Sequence, residues 1–227
     1  MKSIVGVVLA VCLLGVSCIS CSESPSDIQR RGVRHYNAGE YSQAVACFRE
    51  AAEKGDAEAQ LNLGSCYDNG RGVEKNNFEA AKWYRKSAEQ GNVNAQLNLG
   101  CCYLAEENAR EAMKWFRKAA EQGSVAGQIL LGFCYFSGKG VEKNAREAVK
   151  WLRKGIESRK EEGLICSVAG KELVEVMLAE GYFLLGACYF MGEGVAVDKE
   201  KAKELWRKAE EQGSENATEV LRKYFNE

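Results

Sequence analysis

The sequence predicts an all-α fold built as a stack of repeated helix pairs. Three observations carry that prediction. The 227-residue chain holds a single proline, Pro25, and proline is the residue that removes an amide donor and breaks a helix interior. A Leu-Gly-x-x-Tyr block recurs with its glycine at Gly64, Gly100, Gly132 and Gly186, at intervals of 36, 32 and 54 residues. Within a block the apolar residues return at helical spacing, as Ala59, Leu63, Cys66 and Tyr67 and then as Ala80, Trp83 and Ser87. Self-similarity at such a period is the mark of a repeat architecture.

The totals narrow the function classes. Lys and Arg number 31 against 32 Asp and Glu, a net charge of −1. That balance gives no electrostatic reason to expect nucleic acid or an anionic membrane surface as partner. With 46% hydrophobic and 28% charged residues the chain is globular in composition. A histidine-based metal site or nucleophile–histidine triad would have to be built on His35 alone. His35 reads as a surface residue of the first helix.

The chain opens as a targeting segment. Met1-Lys2-Ser3 precedes an apolar run from Ile4 to Val16, about 20 Å of helix against about 30 Å of hydrocarbon. This is the pattern of a signal peptide, expected over residues 1–20, with a linker over 21–27 ahead of the first helix. Leu14-Gly15-Val16-Ser17-Cys18 resembles a bacterial lipoprotein cleavage site, which would make Cys18 the acylated residue and Cys21 the alternative. Gly15 stands where such sites usually carry leucine, and ordinary cleavage near Ser20 is the competing reading.

Each unit reads as helix A, from Ala57 to Asn69 in the first full unit, and helix B, from Phe78 to Gln90. Gly64 lets a neighbouring helix approach closely, against a propensity cost of about 1 kcal/mol for a mid-helix glycine. Gly55-Asp56, Gly91-Asn92, Gly123-Ser124 and Gly213-Ser214 each pair a left-handed helix end with a side chain able to cap the next helix. The A–B loops carry Gly72, Gly140 and Gly194 in positive-φ turns, with Val73, Val141 and Val195 tucked beneath. They are not nucleotide loops, because no strand precedes them and no Gly-Lys-Ser/Thr occurs. The second unit lacks four residues, and residues 160–177 are eighteen extra ones. That insertion either extends helix A of the last unit backwards or folds over its neighbours.

Leu-Gly-x-x-Tyr, Gly-x-Gly-Val, Ala-x-x-Trp and Ala-Glu-Gln-Gly in this order over residues 56–213 resemble the Sel-one-like repeat family, relatives of tetratricopeptide repeats. The resemblance implies a right-handed α-α superhelical solenoid over residues 28–227. Repeats fall at 56–91, 92–123, 124–159 and 178–213. Residues 28–55, with Tyr36-Asn37-Ala38-Gly39-Glu40-Tyr41 followed by Ala44, Phe48 and Ala51, look like the second half of a tetratricopeptide unit and form the N-terminal cap. Residues 214–227 form a C-terminal cap helix. One unit cannot bury its apolar face alone, so the stack folds as one body.

Of ten cysteines, Cys66, Cys102, Cys134 and Cys188 occupy one repeat position and read as small core residues. Neighbouring units are too far apart there for disulfide geometry. Cys47, Cys101 and Cys166 are left over. The cysteine-rich branch of the family staples its helices through cysteines spaced eight apart, and no two cysteines here have that spacing. A zinc site is not expected, for want of a second histidine, and no cofactor is expected.

The resemblance also implies a function. Helix A lines the concave face of such solenoids and binds a protein or peptide there. The lining positions are Glu58, Leu61, Ser65 and Asp68, then Asn94, Leu97, Cys101 and Leu104, then Ala126, Ile129, Phe133 and Phe136, then Glu180, Phe183, Ala187 and Phe190. The strip Ile129, Phe133, Phe136, Phe183 and Phe190 is the apolar, candidate binding part, unless residues 160–177 cover it. The expectation is a non-enzymatic adaptor of the cell envelope. A secreted effector binding host proteins is the alternative. Some cysteine-rich relatives are linked to β-lactams, but no Ser-x-x-Lys or Gly-x-Ser-x-Gly occurs, and Ser167 has Lys171 one place too far on.

Overall fold

Short polar side chains start the helices. Ser24, Asp56, Asn76, Asn92, Asn108, Ser124, Asp198 and Ser214 each accept a hydrogen bond from the amide three residues on, satisfying a donor the first turn leaves open. The four expected joint caps are among them. The caps of helix B at Asn76, Asn108 and Asp198 belong to the same rule and went unread in the sequence. The expected joint glycines Gly55, Gly91, Gly123 and Gly213 all have positive φ, from 88 to 93°.

The computed structural model describes residues 23–161 and 168–226. Among them run eleven helices: α1 Pro25–Asn37, α2 Tyr41–Glu53, α3 Ala57–Asn69, α4 Asn77–Glu89, α5 Val93–Ala105, α6 Ala109–Glu121, α7 Val125–Ser137, α8 Ala145–Glu161, α9 Val168–Met191, α10 Lys199–Glu211 and α11 Glu215–Phe225. Each packs on the helices before and after it in sequence, and α7 and α9 also pack directly on each other. This is a helical solenoid of α-α pairs.

The repeat glycine is the contact point inside each pair. A Cβ on Gly64, Gly100, Gly132 or Gly186 would lie 2.3 to 2.8 Å from the ring or branch of Tyr84, Phe116, Leu152 or Trp206 on the facing helix B. Gly32 stands the same way under Phe48, at 2.6 Å. The N-terminal segment is therefore a complete helix pair, not the half unit its motif suggested. Its first helix starts at Pro25, inside the expected linker. Proline suits a helix's first turn, and Ser24 caps it.

Two polar ladders tie one pair to the next. Gln60, Gln96 and Gln128, all buried, donate to the carbonyls of Ala52, Ala88 and Ala120 on the preceding helix B. Gln90, Gln122 and Ser158 in turn donate to those glutamines at 2.8, 2.9 and 3.1 Å. Arg49, Arg85, Arg117 and Arg153 reach the hydroxyls of Tyr67, Tyr103, Tyr135 and Tyr189 on the next helix A, with the guanidinium carbon 5.6 to 5.9 Å from the ring centre. A buried amide left without a partner costs about 1–3 kcal/mol, so the glutamine ladder fixes register as well as adding stability.

The insertion lengthens helices. α8 runs 17 residues and α9 runs 24, against 13 for α3, α5 and α7. The part from Val168 onwards extends helix A of the last unit backwards, one of the two expected outcomes. The added turns are held by Leu178, buried beside Ile156 in one apolar cluster.

Candidate protein-binding face

The predicted apolar strip does not form one open surface. Ile129 is 1% exposed and lies beneath Gly155 and Gly181, where an added Cβ would stand 2.9 and 3.1 Å from its side chain, so the absent side chains let α8 and α9 close over it. It is core rather than lining, because α7 and α9 touch directly. Phe190 is half-buried in an aromatic cluster, its ring centre 5.3 Å from Trp206, 5.0 Å from Tyr224 and 6.5 Å from Phe225. Phe183 stands 6.5 Å from Trp206, whose indole donates to the Phe183 carbonyl at 3.0 Å. Both belong to the seat of the terminal helix α11. Phe133 and Phe136 on α7 are likewise half-buried, packed against the core clusters, with the ammonium groups of Lys139 and Lys143 at 5.5 and 5.6 Å. Cys18 and Cys21, the candidate lipidation residues, lie outside the described residues, as does Cys166.

One open space of about 290 Å³ lies at Val176, Glu180, Gln212 and Asn216, and two adjoining ones lie at the unit before α7. A cavity of about 310 Å³ is lined by Asp68, Asn77, Asn98, Cys101, Cys102, Ala105 and Glu106. A second of about 310 Å³ adjoins it at Phe78, Lys82, Arg85, Tyr103 and Glu106. Asp68 and Cys101 are expected lining positions. Phe78 is 73% exposed and was not singled out in the sequence. The tract is mixed in character: Asp68 accepts a long bond from Tyr84 at 3.4 Å, and Glu106 is exposed.

The cysteines are quiet. Cys66, Cys134 and Cys188 are fully buried and Cys102 half-buried. Burial, the largest cause, pushes all four thiols up to about 11, so the reactive thiolate is disfavoured. Cys101 is exposed, and its thiol is raised by desolvation in the cleft and then by Asp68. Among the described residues no cluster of His, Cys, Asp or Glu could hold a metal, and no helix is long and apolar enough to cross a membrane.

A stack of helix pairs with an open helix-A tract is the form of the superhelical repeat proteins, which generally mediate protein–protein interaction and are typically non-enzymatic. The Sel1 repeat model matches residues 32–56, 57–92, 93–124, 125–158 and 179–214, and the chain belongs to the Sel1 repeat family. A Sel1 repeat protein from Oxalobacter formigenes has a similar structure, with a TM-score of 0.76 and 28% identity over 95% of this chain and 84% of that one. The c5321 protein, described as a protective antigen present in uropathogenic Escherichia coli strains, shares 31% identity at a TM-score of 0.71, over 88% of this chain and 42% of that one. In sequence the chain is 36% identical over 64 residues to an exopolysaccharide production negative regulator of Rhizobium leguminosarum bv. viciae. That match spans 24% of the regulator's length.

Proposed function

We propose that the protein is a non-enzymatic adaptor of the cell envelope that holds a protein or peptide against its helix-A face. The observation that carries this reading is the open tract between α3 and α5, where about 310 Å³ of space meets half-exposed side chains of two successive helices. Phe133 and Phe136 prolong that tract onto α7. The envelope location rests on the apolar leader and on Cys18 as acylation site, with Cys21 as alternative.

Photo-cross-linking tests the face. A photoreactive phenylalanine derivative at Asn94 or Phe133 is expected to capture one and the same partner in the native host. The same group at Lys114, exposed on helix α6, is expected to capture none. Capture from Lys114 alone would move the interaction to the other face.

A second reading, a secreted factor binding host proteins, is favoured by the similarity to the protective antigen of uropathogenic strains. Cell fractionation of wild type and Cys18→Ser separates the two. The adaptor reading expects membrane-bound wild type and soluble variant, whereas the secreted reading expects both in the medium.

A further inference from the structure

The A–B loops reach back to the preceding helix pair. A Cβ on Gly72 would lie 2.3 Å from the carbonyl oxygen of Tyr41, on Gly140 2.2 Å from that of Ala109, and on Gly194 2.4 Å from that of Ala145. Those three residues open α2, α6 and α8. Each loop thus seats on the first turn of the preceding helix B, and the seat admits no side chain at the second glycine. Beneath it Val73, Val141 or Val195 packs against the core.

Among the helices B that are followed by a further helix pair, α4 is the exception. The loop that would seat on its first turn joins α5 to α6 and is only residues 106–108, where the others run over 70–76, 138–144 and 192–198. It has no Gly-x-Gly, and its turn is made by Glu107 at φ 58°. The seat is left empty. Asn77 lines one of the two adjoining cavities described above and Phe78 the other, with Cys102 and Glu106 in the walls of both.

We propose that this empty seat docks a loop of a partner protein that carries glycine, a basic residue, glycine and an aliphatic residue in succession. The assignment rests on the adaptor reading and gives the contact chemistry of its partner. The second glycine is required by the backbone approach seen in the three filled seats, and the aliphatic residue by the valine that follows it there. The basic residue follows from charge. In the filled seat on α2, Arg71 lies between the two glycines, bonds the Tyr36 hydroxyl and stacks 5.6 and 5.7 Å from the Tyr36 and Tyr41 rings. Taking Gly32 and Gly64 as register, Asp68 stands where Tyr36 stood, and Asn77 opens α4 as Tyr41 opens α2. The cavity beside Asn77 holds the carboxylates of Asp68 and Glu106 and no cationic side chain among its lining residues. Carboxylates in a cleft favour a guanidinium or ammonium through charge-assisted bonds.

The probe is a fluorescent peptide Asn-Gly-Arg-Gly-Val-Glu-Lys-Asn, the chain's own residues 69–76, titrated by anisotropy against the full chain. It is expected to bind wild type, and Asp68→Asn roughly two- to fivefold more weakly, as befits one partly exposed ion pair. Binding is expected to vanish when the peptide's second glycine is alanine. It should also vanish in a variant whose residues 106–108 are replaced by the sequence of 70–76, provided its melting temperature is no lower than that of wild type. No binding to wild type, or equal binding by the alanine peptide or by the filled variant, overturns the proposal. In the host, a photoreactive group at Phe78 is expected to capture the same partner as Asn94 and Phe133. Capture at those two but not at Phe78, or capture of a second copy of this chain at Phe78, overturns this inference and leaves the adaptor reading standing. Capture at none of the three overturns both.

Discussion

Single residues set the closest contacts. A Cβ on Gly100 would lie 2.3 Å from the Phe116 ring. Gly100→Ala is therefore expected to destabilise the protein by about 1–3 kcal/mol through overpacking, although alanine is the better helix former. Thermal denaturation of the pair measures it, and an unchanged or raised melting temperature would contradict the contact. Glu107 has the opposite prospect. At φ 58° it carries a left-handed penalty of about 1–2 kcal/mol, so Glu107→Gly is expected to be neutral or stabilising, by up to about 1 kcal/mol once the entropy of glycine is counted. The thiols of Cys66, Cys134 and Cys188, held at about 11 against an ordinary 9.0, give a pH dependence of known sign. Between pH 9 and 11 the unfolded chain loses these protons while the folded chain keeps them, so stability falls as pH rises through that window. Denaturant melts at pH 8 and 10.5 check the sign, and a triple Cys→Ala variant is expected to lose part of the slope. At pH 8, Cys101 is expected to alkylate before the three buried thiols.

At the scale of elements the joints decide. Gln128 is fully buried, donates to Ala120 and accepts from Ser158. Gln128→Leu keeps the volume but leaves the Ala120 carbonyl with the Gly123 amide alone and the Ser158 hydroxyl without its acceptor, and is expected to cost about 1–3 kcal/mol. A double-mutant cycle with Ser158→Ala measures the coupling, and strict additivity would mean that the two do not share a bond. Helix α11 is the other decisive element. Its Leu221 and Phe225 cover Trp206 and Phe190. Truncation after Gly213 is expected to red-shift tryptophan fluorescence and lower the melting temperature, as a solenoid end without its cap exposes core. Helix boundaries were legible in the sequence here, because Asp56, Asn92, Ser124 and Ser214 each follow a glycine at a joint. The glutamine and arginine–tyrosine ladders were not. Periodicity reports which face a residue lies on, and says nothing about which atom on the next helix it meets.

For the whole molecule, the departures from the repeat matter more than the repeat. The shortened connection after α5 removes one seated loop and leaves Phe78 and the paired cavities. The long interval adds turns to α8 and α9 and closes them over Ile129. The first event opens surface and the second removes it. The apolar strip read from register is therefore divided among core, C-terminal cap and a remaining half-buried pair, Phe133 and Phe136.

The sequence by itself determined the α-solenoid class, the capped joints, the glycine contacts and the four-residue deficit of the second unit, since all of these are local or periodic properties of the chain. Which of five aligned apolar residues stay accessible was decided by tertiary structure alone. Exposure depends on what an adjacent element brings across: Gly155 and Gly181 over Ile129, Tyr224 and Phe225 over Phe190, and nothing over Phe78. A repeat register assigns every unit the same neighbours, and this chain's neighbours differ wherever a loop is short or a helix is long.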